Sequence, residues 1–383
     1  MRPVLCLLCL PFIPLTVAAQ TPPAANADYS INISPGTERE AFQHIPWKEI
    51  PADLRDKIRS GRSLTRQTWV ISPSLEPRVA GLGPTYNRPS CLSCHPANGR
   101  GEAPASVSEP MRGMLVRLSI PGKDAHGGPN PEPRYGDQLN ELGIPGVPGE
   151  GEAFLEWQTR TERLADGQQV ELRWPKIAFR HLGYGPLHTQ VMTSVRIAPP
   201  IFGLGLLEAV PEADILAIAK AQKAEGKGVA GQPNRVWDAG LKREVLGRFG
   251  WKANQPSTRQ QIAGALAGDM GVTSDIMPAP NCPPAQKACA EKSKANEKHP
   301  EISTADLDDM ALYHFALAVP APRQQNNAKV LAGKALFQSA GCASCHRPEL
   351  KTAAFPALPT LANRTLRPYT DLLLHDMGAG LAD

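Results

Sequence analysis

Two short stretches of the chain combine cysteine and histidine at a spacing that supports one covalent chemistry. Residues 90–95 read Ser-Cys-Leu-Ser-Cys-His, and residues 341–346 read Gly-Cys-Ala-Ser-Cys-His. We call residues 91–95 the first motif and residues 342–346 the second motif. In Cys-x-x-Cys-His, two thiols can add to the two vinyl groups of haem as thioethers, and the trailing His can reach the iron.

The motifs therefore predict two covalently attached haem c groups in one chain. A redox-active dithiol is the alternative, but it would need a βαβ context and no trailing His. Two copies of the same pattern favour haem. The predicted cofactor-binding residues are Cys91, Cys94, His95, Cys342, Cys345 and His346, with His95 and His346 as the proximal iron ligands.

The roles of the other four cysteines are inferred from the export of the protein to an oxidising compartment. Cys6 and Cys9 lie in an N-terminal segment that reads as a signal peptide. Cys282 and Cys289 lie seven residues apart in a Pro-rich stretch. In an oxidising compartment such a pair is expected to form a local disulfide, with two free thiols as the alternative.

The first 19 residues have the pattern of an export signal. Arg2 precedes an apolar stretch over residues 4–17, and small residues at 17–19 predict cleavage after Ala19. A membrane anchor is the alternative, but the stretch is short and contains Pro11 and Pro14. We expect a periplasmic protein with no membrane span once the signal is removed.

The charge balance disfavours nucleic acid and anionic membranes as partners. The formal net charge is +4, from 41 basic and 37 acidic residues, and no basic run stands out. The 39 Pro and 33 Gly residues predict a loop-rich fold.

Local patterns predict the elements that position the motifs. Apolar residues at three- and four-residue steps over 328–339 predict a helix that runs into Gly341 and the second motif. Further helices are expected after Pro211 and after Ser303. Alternating, β-branched runs near residues 111–120, 151–160 and 168–182 predict strands.

These elements predict a mainly α fold with two cytochrome c-like haem domains and a β-rich insertion after the first motif. The expected divisions are residues 1–19 (signal peptide), 20–110 (N-terminal haem region), 111–200 (β-rich insertion), 201–322 (helical remainder of the first haem domain) and 323–383 (second cytochrome c-like domain).

Several longer stretches resemble the bacterial di-haem oxidoreductases, relatives of the di-haem cytochrome c peroxidases. The resemblance runs over nearly the whole chain after residue 19. Stretches that carry it include LGPTYNRPSCLSCHPANGRG (82–101), RLSIPG (117–122), RYGDQLNELGIPGVPGEG (134–151), LGYGPLH (182–188), RIAPPIFGLGLLEAVPEADILAIA (196–219), GQPNRVWDAG (231–240), LGRFGWKANQPSTRQQIAGALAGDMG (246–271) and RPYTDLLLHDMGAGLAD (367–383). Family members continue beyond such an ending, so we expect the C-terminal domain to be incomplete.

The resemblance also implies a catalytic set. Trp251 takes the place of the tryptophan between the haems, Gln261 that of an amide in the distal pocket, and Asp269 that of the family's glutamate. A carboxylate above an open iron can move a proton between peroxide oxygens. The residues alone favour another interpretation, in which Trp251 is a core anchor and Gln261 and Asp269 are ordinary helix-surface residues.

The sequence does not decide which residues are the second axial ligands of the two expected haems. His126, His181 and His188 are candidates for the first haem, and His375 or Met377 for the second. His314, on the apolar stripe of a predicted helix, is a further candidate or a core histidine.

Three functions are compatible with these features. The first is a peroxidase-like oxidoreductase in which a small donor protein, of cytochrome or cupredoxin type, reduces the second haem and peroxide reacts at the first. The second is an electron-transfer cytochrome with both irons closed. The third is a di-haem oxidase that acts on a partner protein. The identity of the axial ligands separates the first from the second.

Overall fold

The computed structural model describes residues 34, 36–107, 109–226, 230–296 and 300–379, so the predicted signal peptide lies outside the described residues. The helices there are α1 (Arg55–Arg66), α2 (Cys91–Cys94), α3 (Leu204–Glu208), α4 (Glu212–Glu225), α5 (Thr258–Met270), α6 (Lys287–Ala295), α7 (Thr304–Ala316) and α8 (Ala328–Ser339). The strands are β1 (Thr85–Tyr86), β2 (Met114–Lys123), β3 (Pro129–Asn130), β4 (Leu142–Gly143), β5 (Glu152–Arg163), β6 (Gln169–Arg180), β7 (Met192–Ile197), β8 (Arg235–Asp238), β9 (Arg243–Leu246), β10 (Leu350–Lys351) and β11 (Thr365–Leu366). Among these elements, no helix is long and apolar enough to cross a membrane.

The prediction of a mainly α fold is wrong. Helix accounts for 30% and strand for 20% of the structure. The physical reason lies in the Pro and Gly content, because Pro lacks the helical N–H donor and Gly favours turns. Helices are therefore short, and much of the chain between them forms loops and small antiparallel sheets.

The helices predicted from local patterns are confirmed. α4 starts directly after Pro211, and α8 precedes Gly341 at the start of the second motif. Ser303 is the N-cap of α7, and its hydroxyl accepts a hydrogen bond from the backbone N–H of Asp306 at 3.1 Å. The disulfide between Cys282 and Cys289 is also confirmed.

One apolar core joins the helices to the C-terminal region. α1 crosses α7 closely, and Gly61 permits the crossing because a Cβ there would clash with the backbone of Asp309. The core includes Ile58 and Leu64 of α1, Leu266 of α5, Leu307 and Met310 of α7, and Leu361 and Leu372 near the C-terminus. The segment that follows the second motif is thus packed against the rest of the chain.

A second, smaller core lies in the β-rich part. Val116 and Leu118 of β2 and Ala153 and Leu155 of β5 are buried at alternating positions, as expected for strands with one face covered. β2 pairs antiparallel with β3 and β7, and β5 pairs with β6 along all twelve residues. These longest strands fall within residues 111–200, while the predicted domain boundaries themselves stay predictions.

The loop before the first motif packs against the end of α5. Gly83 donates its N–H to the carbonyl of Met270 at 2.8 Å. Gly83 and Gly271 approach so closely that a Cβ at either position would clash with the backbone of the other. Gly271 also ends α5 with a φ of +66°, which favours glycine. This contact brings Asp269, in the last turn of α5, to the first motif.

Candidate active site

The first motif forms a short helical turn that fixes the orientation of its histidine. The backbone N–H of His95 bonds to the carbonyl of Cys91 at 2.8 Å. The Nδ1 atom of His95 lies 2.6 Å from the carbonyl oxygen of Pro199, two residues beyond β7. When Nδ1 donates to a carbonyl, Nε2 keeps its lone pair, which is the arrangement of a metal-ligating histidine.

The thiols of the first motif are not poised for thiolate chemistry. Cys91 and Cys94 are free rather than paired. Burial, and then the negative charge of Asp269, raise the pKa of each thiol to about 12. A redox-active dithiol needs a lowered thiol pKa, so this environment disfavours the dithiol alternative.

The second motif repeats the geometry of the first. Its histidine, His346, places Nδ1 3.1 Å from the carbonyl oxygen of Tyr369. Cys342 and Cys345 are free as well. Gly341 has a φ of +77°, which lets the chain turn sharply from α8 into the motif. Each motif therefore carries two unpaired thiols and a histidine with Nε2 available.

A buried polar network anchors the second motif. Gln222 of α4 donates from Nε2 to the carbonyl of Ser344 at 2.7 Å and to Oδ2 of Asp371 at 2.8 Å, while its Oε1 accepts from the N–H of Gly231. The same Oδ2 of Asp371 lies 2.8 Å from Nε2 of His375. The Nδ1 atom of His375 is buried and has no hydrogen-bond partner within the described part of the chain.

Asp269 is the carboxyl group whose negative charge acts most strongly on the thiols of the first motif. Its Oδ1 accepts from Nε2 of Gln138 at 2.7 Å. Burial raises the pKa of Asp269 above its ordinary value. The rise is opposed by the charge of Arg117, by the hydrogen bond from Gln138 and by the charge of His95. A carboxyl group in this environment can hold and release a proton nearer to neutral pH than an exposed aspartate.

Trp251 lies beside the segment that holds His95. Its indole Nε1 donates to the carbonyl of Ile197 at 3.1 Å, and Pro199, the partner of His95, follows two residues later. The ring is 49% exposed, so it is not the core anchor that the sequence left open as an alternative.

Gln261 does not share a hydrogen-bond partner with Asp269. Both belong to α5, but eight residues separate them, a rise of about 12 Å. Gln261 lies against Gly250, next to Trp251, and its Oε1 is buried without a hydrogen-bond partner among the described residues. The structure thus groups Gln261 with Trp251 and Asp269 with the first motif.

The candidate axial ligands occupy very different environments. His126 stacks on Trp237, His181 lies 3.2 Å from Glu152 on the surface, and Met377 is 68% exposed. His314 is buried with Nδ1 2.7 Å from the carbonyl of its own helix residue Met310.

The backbone N–H of His188 bonds to Glu132 at 2.9 Å, and its Nδ1 accepts from Gln190. These contacts do not select a second ligand for either haem, so that part of the prediction stays open.

The comparisons with known proteins agree with the motifs. The sequence model of a family described as "Di-haem oxidoreductase, putative peroxidase" matches residues 49–383. The chain belongs to this family. No curated protein and no solved structure matches it.

The residues of this di-haem oxidoreductase fit the haem that its family implies. Four unpaired thiols stand beside two histidines with free Nε2 atoms, while the remaining described cysteines form the disulfide. α8 also presents exposed apolar side chains next to the second motif, with Leu336 at 66% exposure and Phe337 6.2 Å from His346 by ring centroids. In the described part of the chain, no cluster of three or more His, Cys, Asp or Glu side chains could hold a separate metal ion.

Sequence reasoning missed the residues that hold the site together. These are Asn87, Gln138, Pro199, Gln222, Tyr369 and Asp371. Most of them lie inside the stretches that carry the family resemblance, which is the one signal that could have singled them out. Their residue types and spacing predict no chemistry by themselves.

Proposed function

We propose that this di-haem oxidoreductase is an exported, periplasmic peroxidase that reduces hydrogen peroxide to water at the first motif. A small donor protein, of cytochrome or cupredoxin type, would supply electrons through the second motif. The observation that carries the proposal is the Asp269 carboxyl beside the first motif, with a pKa raised by burial and, among the described residues, a donor bound to only one of its oxygens.

The four motif cysteines would attach two haem c groups through thioethers. His95 and His346 would ligate the irons through Nε2, because the carbonyls of Pro199 and Tyr369 occupy Nδ1. When bound, haem supplies an iron at which the O–O bond of peroxide can be cleaved and which exchanges electrons one at a time.

A side chain of the protein would transfer the protons. Cleavage of one peroxide consumes two electrons and two protons and yields two waters. Asp269 would take a proton from one oxygen of the peroxide and return it to the oxygen that departs as water. A carboxyl group with a raised pKa suits both steps, because it binds a proton more readily than an ordinary aspartate and can still release it.

Electrons would pass from the second motif to the first by way of Trp251. Support comes from its indole, which bonds to the same short segment that holds His95. The predicted signal peptide supports export to the periplasm, where haem c is attached and donor proteins of this kind are found. Gln261 would orient groups near Trp251, since its Oε1 is buried there without a partner in the described chain.

Spectroscopy of the purified holoprotein tests the proposal. Electron paramagnetic resonance and visible spectra of the oxidised and half-reduced forms should reveal a high-spin, accessible iron, followed by peroxide turnover with a reduced donor. Two low-spin haems in both states would contradict the peroxidase and leave an electron-transfer cytochrome. An accessible iron without peroxide turnover would instead point to an oxidase that acts on another substrate.

A further inference from the structure

Gln138 is the centre of a buried hydrogen-bond network next to the first motif. It lies in the loop between β3 and β4 and is fully buried, at 0% exposure. Its Nε2 donates to Oδ1 of Asp269 at 2.7 Å and to Oδ1 of Asn87 at 2.5 Å, with the carbonyl of Gly268 at 3.2 Å. With Oδ1 of Asn140 at 3.5 Å, four acceptors thus converge on one amide nitrogen that water does not reach.

Asn87 connects this network to the first motif. It lies four residues before Cys91, and its backbone N–H donates to the carbonyl of Asp269 at 2.7 Å. Its side-chain Nδ2 donates to the carbonyl of Leu139, the residue after Gln138, at 2.8 Å. Asn87 and Asp269 are therefore joined twice, directly through the backbone and indirectly through Gln138, which fixes the carboxyl group relative to the motif.

The network distinguishes the two oxygens of Asp269. Oδ1 is held by Gln138, whereas Oδ2 has no hydrogen-bond donor among the described residues. We propose that Gln138 is a positioning residue for the reaction at the first motif, which fixes the Asp269 carboxyl so that Oδ2 is the atom that exchanges a proton with the substrate. This inference rests on the proposed function and extends it to a residue from the β-rich part of the chain.

A purely architectural role for Gln138 is the competing explanation, and the chain contains a matched control. Gln286, just before α6, is also fully buried and also donates from Nε2 to a carboxyl group, at Oε1 of Glu150, at 2.6 Å. In both residues Oε1 is buried without a partner in the described chain. Gln286 belongs to a different network, around Glu150 and the carbonyl of Arg134.

The charged groups that face Asp269 set the direction of a second readout. Burial raises the pKa of Asp269, and Asp137 adds to the rise. The positive charge of Arg117, the hydrogen bond from Gln138 and the charge of His95 act in the opposite direction. Loss of the Gln138 hydrogen bond should therefore raise that pKa further, and the acid limb of the kcat/KM profile should move to higher pH. A residue that only supports the fold would leave the limb in place.

The first experiment compares Gln138→Met with Gln286→Met in the holoprotein, at a temperature at which both are folded. For peroxide reduction we expect Gln138→Met to lower kcat at least about tenfold, with KM within about threefold, and to move the acid limb upward. Gln286→Met should change kcat less than about twofold. Equal kinetics and equal pH profiles for the two variants would overturn the positioning role.

A second experiment does not depend on turnover. A double-mutant cycle of Gln138→Met and Asp269→Ala, measured by chemical unfolding of the holoprotein, should show coupling of at least about threefold in the unfolding equilibrium constant, because alanine removes the acceptor of the Gln138 hydrogen bond. If the wild type does not reduce peroxide, the proposed function fails and this coupling decides the inference alone. Additive effects would overturn it, and the expected coupling would support Gln138 as the residue that positions the Asp269 carboxyl group.

Discussion

The Nδ1 atom of His95 lies 2.6 Å from the carbonyl oxygen of Pro199, 104 residues further along the chain. The same segment accepts the indole N–H of Trp251 at the carbonyl of Ile197. One short stretch after β7 therefore orients the expected iron ligand of the first motif and holds the aromatic side chain expected to carry electrons to it.

Replacement of Trp251 by Phe should slow electron transfer to the first motif. The variant loses the indole and its hydrogen bond to Ile197, so we expect the rate after reduction of the second haem to fall by about tenfold or more, equal to about 1.4 kcal/mol of activation free energy. Stopped-flow absorbance would measure it. Trp174→Phe, on the surface of β6 with similar exposure, is the control, and an equal effect there would count against the assignment.

Replacement of Asp269 by Asn should remove proton transfer while leaving the fold intact. The amide keeps the shape but no longer exchanges a proton, so kcat/KM for peroxide should fall by about 10²–10⁴. Haem content and the visible spectrum should stay unchanged. Asp275→Asn, which affects only a surface pair with Arg259, is the control. Retained activity in the Asp269 variant would exclude it as the proton-transfer group.

Covalent haem attachment should depend on the motif cysteines and on no others. We expect the double change Cys91→Ser and Cys94→Ser to remove the mass of one haem from the intact protein, and the same change at Cys342 and Cys345 to remove the other. Mass spectrometry of the denatured protein measures both.

Serine at both Cys282 and Cys289 provides the control for these changes, because this pair forms the disulfide. That variant should lose stability but keep both haems. Loss of a haem from it would contradict the assignment of the motifs.

Replacement of Gln222 by Leu should loosen the second motif. The change leaves buried Asp371 and the N–H of Gly231 without their shared partner, and it removes the bond to Ser344. An unsatisfied buried polar group costs about 1–3 kcal/mol, so the free energy of unfolding should drop by that amount. Denaturant titration would measure it, with Gln338→Ala on the exposed side of α8 as the control.

Stability should fall as the pH rises from about 5 to about 8, in part because of Glu150. Burial raises the pKa of this carboxyl to about 8, above its unfolded value of 4.5. Between these values the folded state holds a proton that the unfolded state releases, so each pH unit costs up to about 1.4 kcal/mol.

Glu150→Gln should flatten that slope, because the amide stays neutral at every pH. Denaturant titrations at several pH values would measure the change. Glu162→Gln, on the exposed part of the β5–β6 hairpin, should leave the slope unaltered. A steep wild-type slope that persists in the Glu150 variant would assign the effect to other buried carboxyls, such as Glu208.

The sequence by itself determined the local chemistry of this protein. Two Cys-x-x-Cys-His motifs, the disulfide partners Cys282 and Cys289, and the helices at α4, α7 and α8 follow from spacing, caps and periodicity over a few residues. Longer stretches also identified the family. Such features need no knowledge of how distant segments meet, because covalent geometry and helical turns act within one stretch of chain.

Only the tertiary structure decided which groups surround the motifs. Gln138 meets Asp269 across 131 residues and His95 meets Pro199 across 104, and no periodicity links either pair. The fold class was mispredicted for a different reason, because the predicted helices are present but the Pro and Gly content leaves much of the chain outside helix. Contacts of this kind depend on how distant loops pack around α5 and β7, and packing is a property of the whole chain.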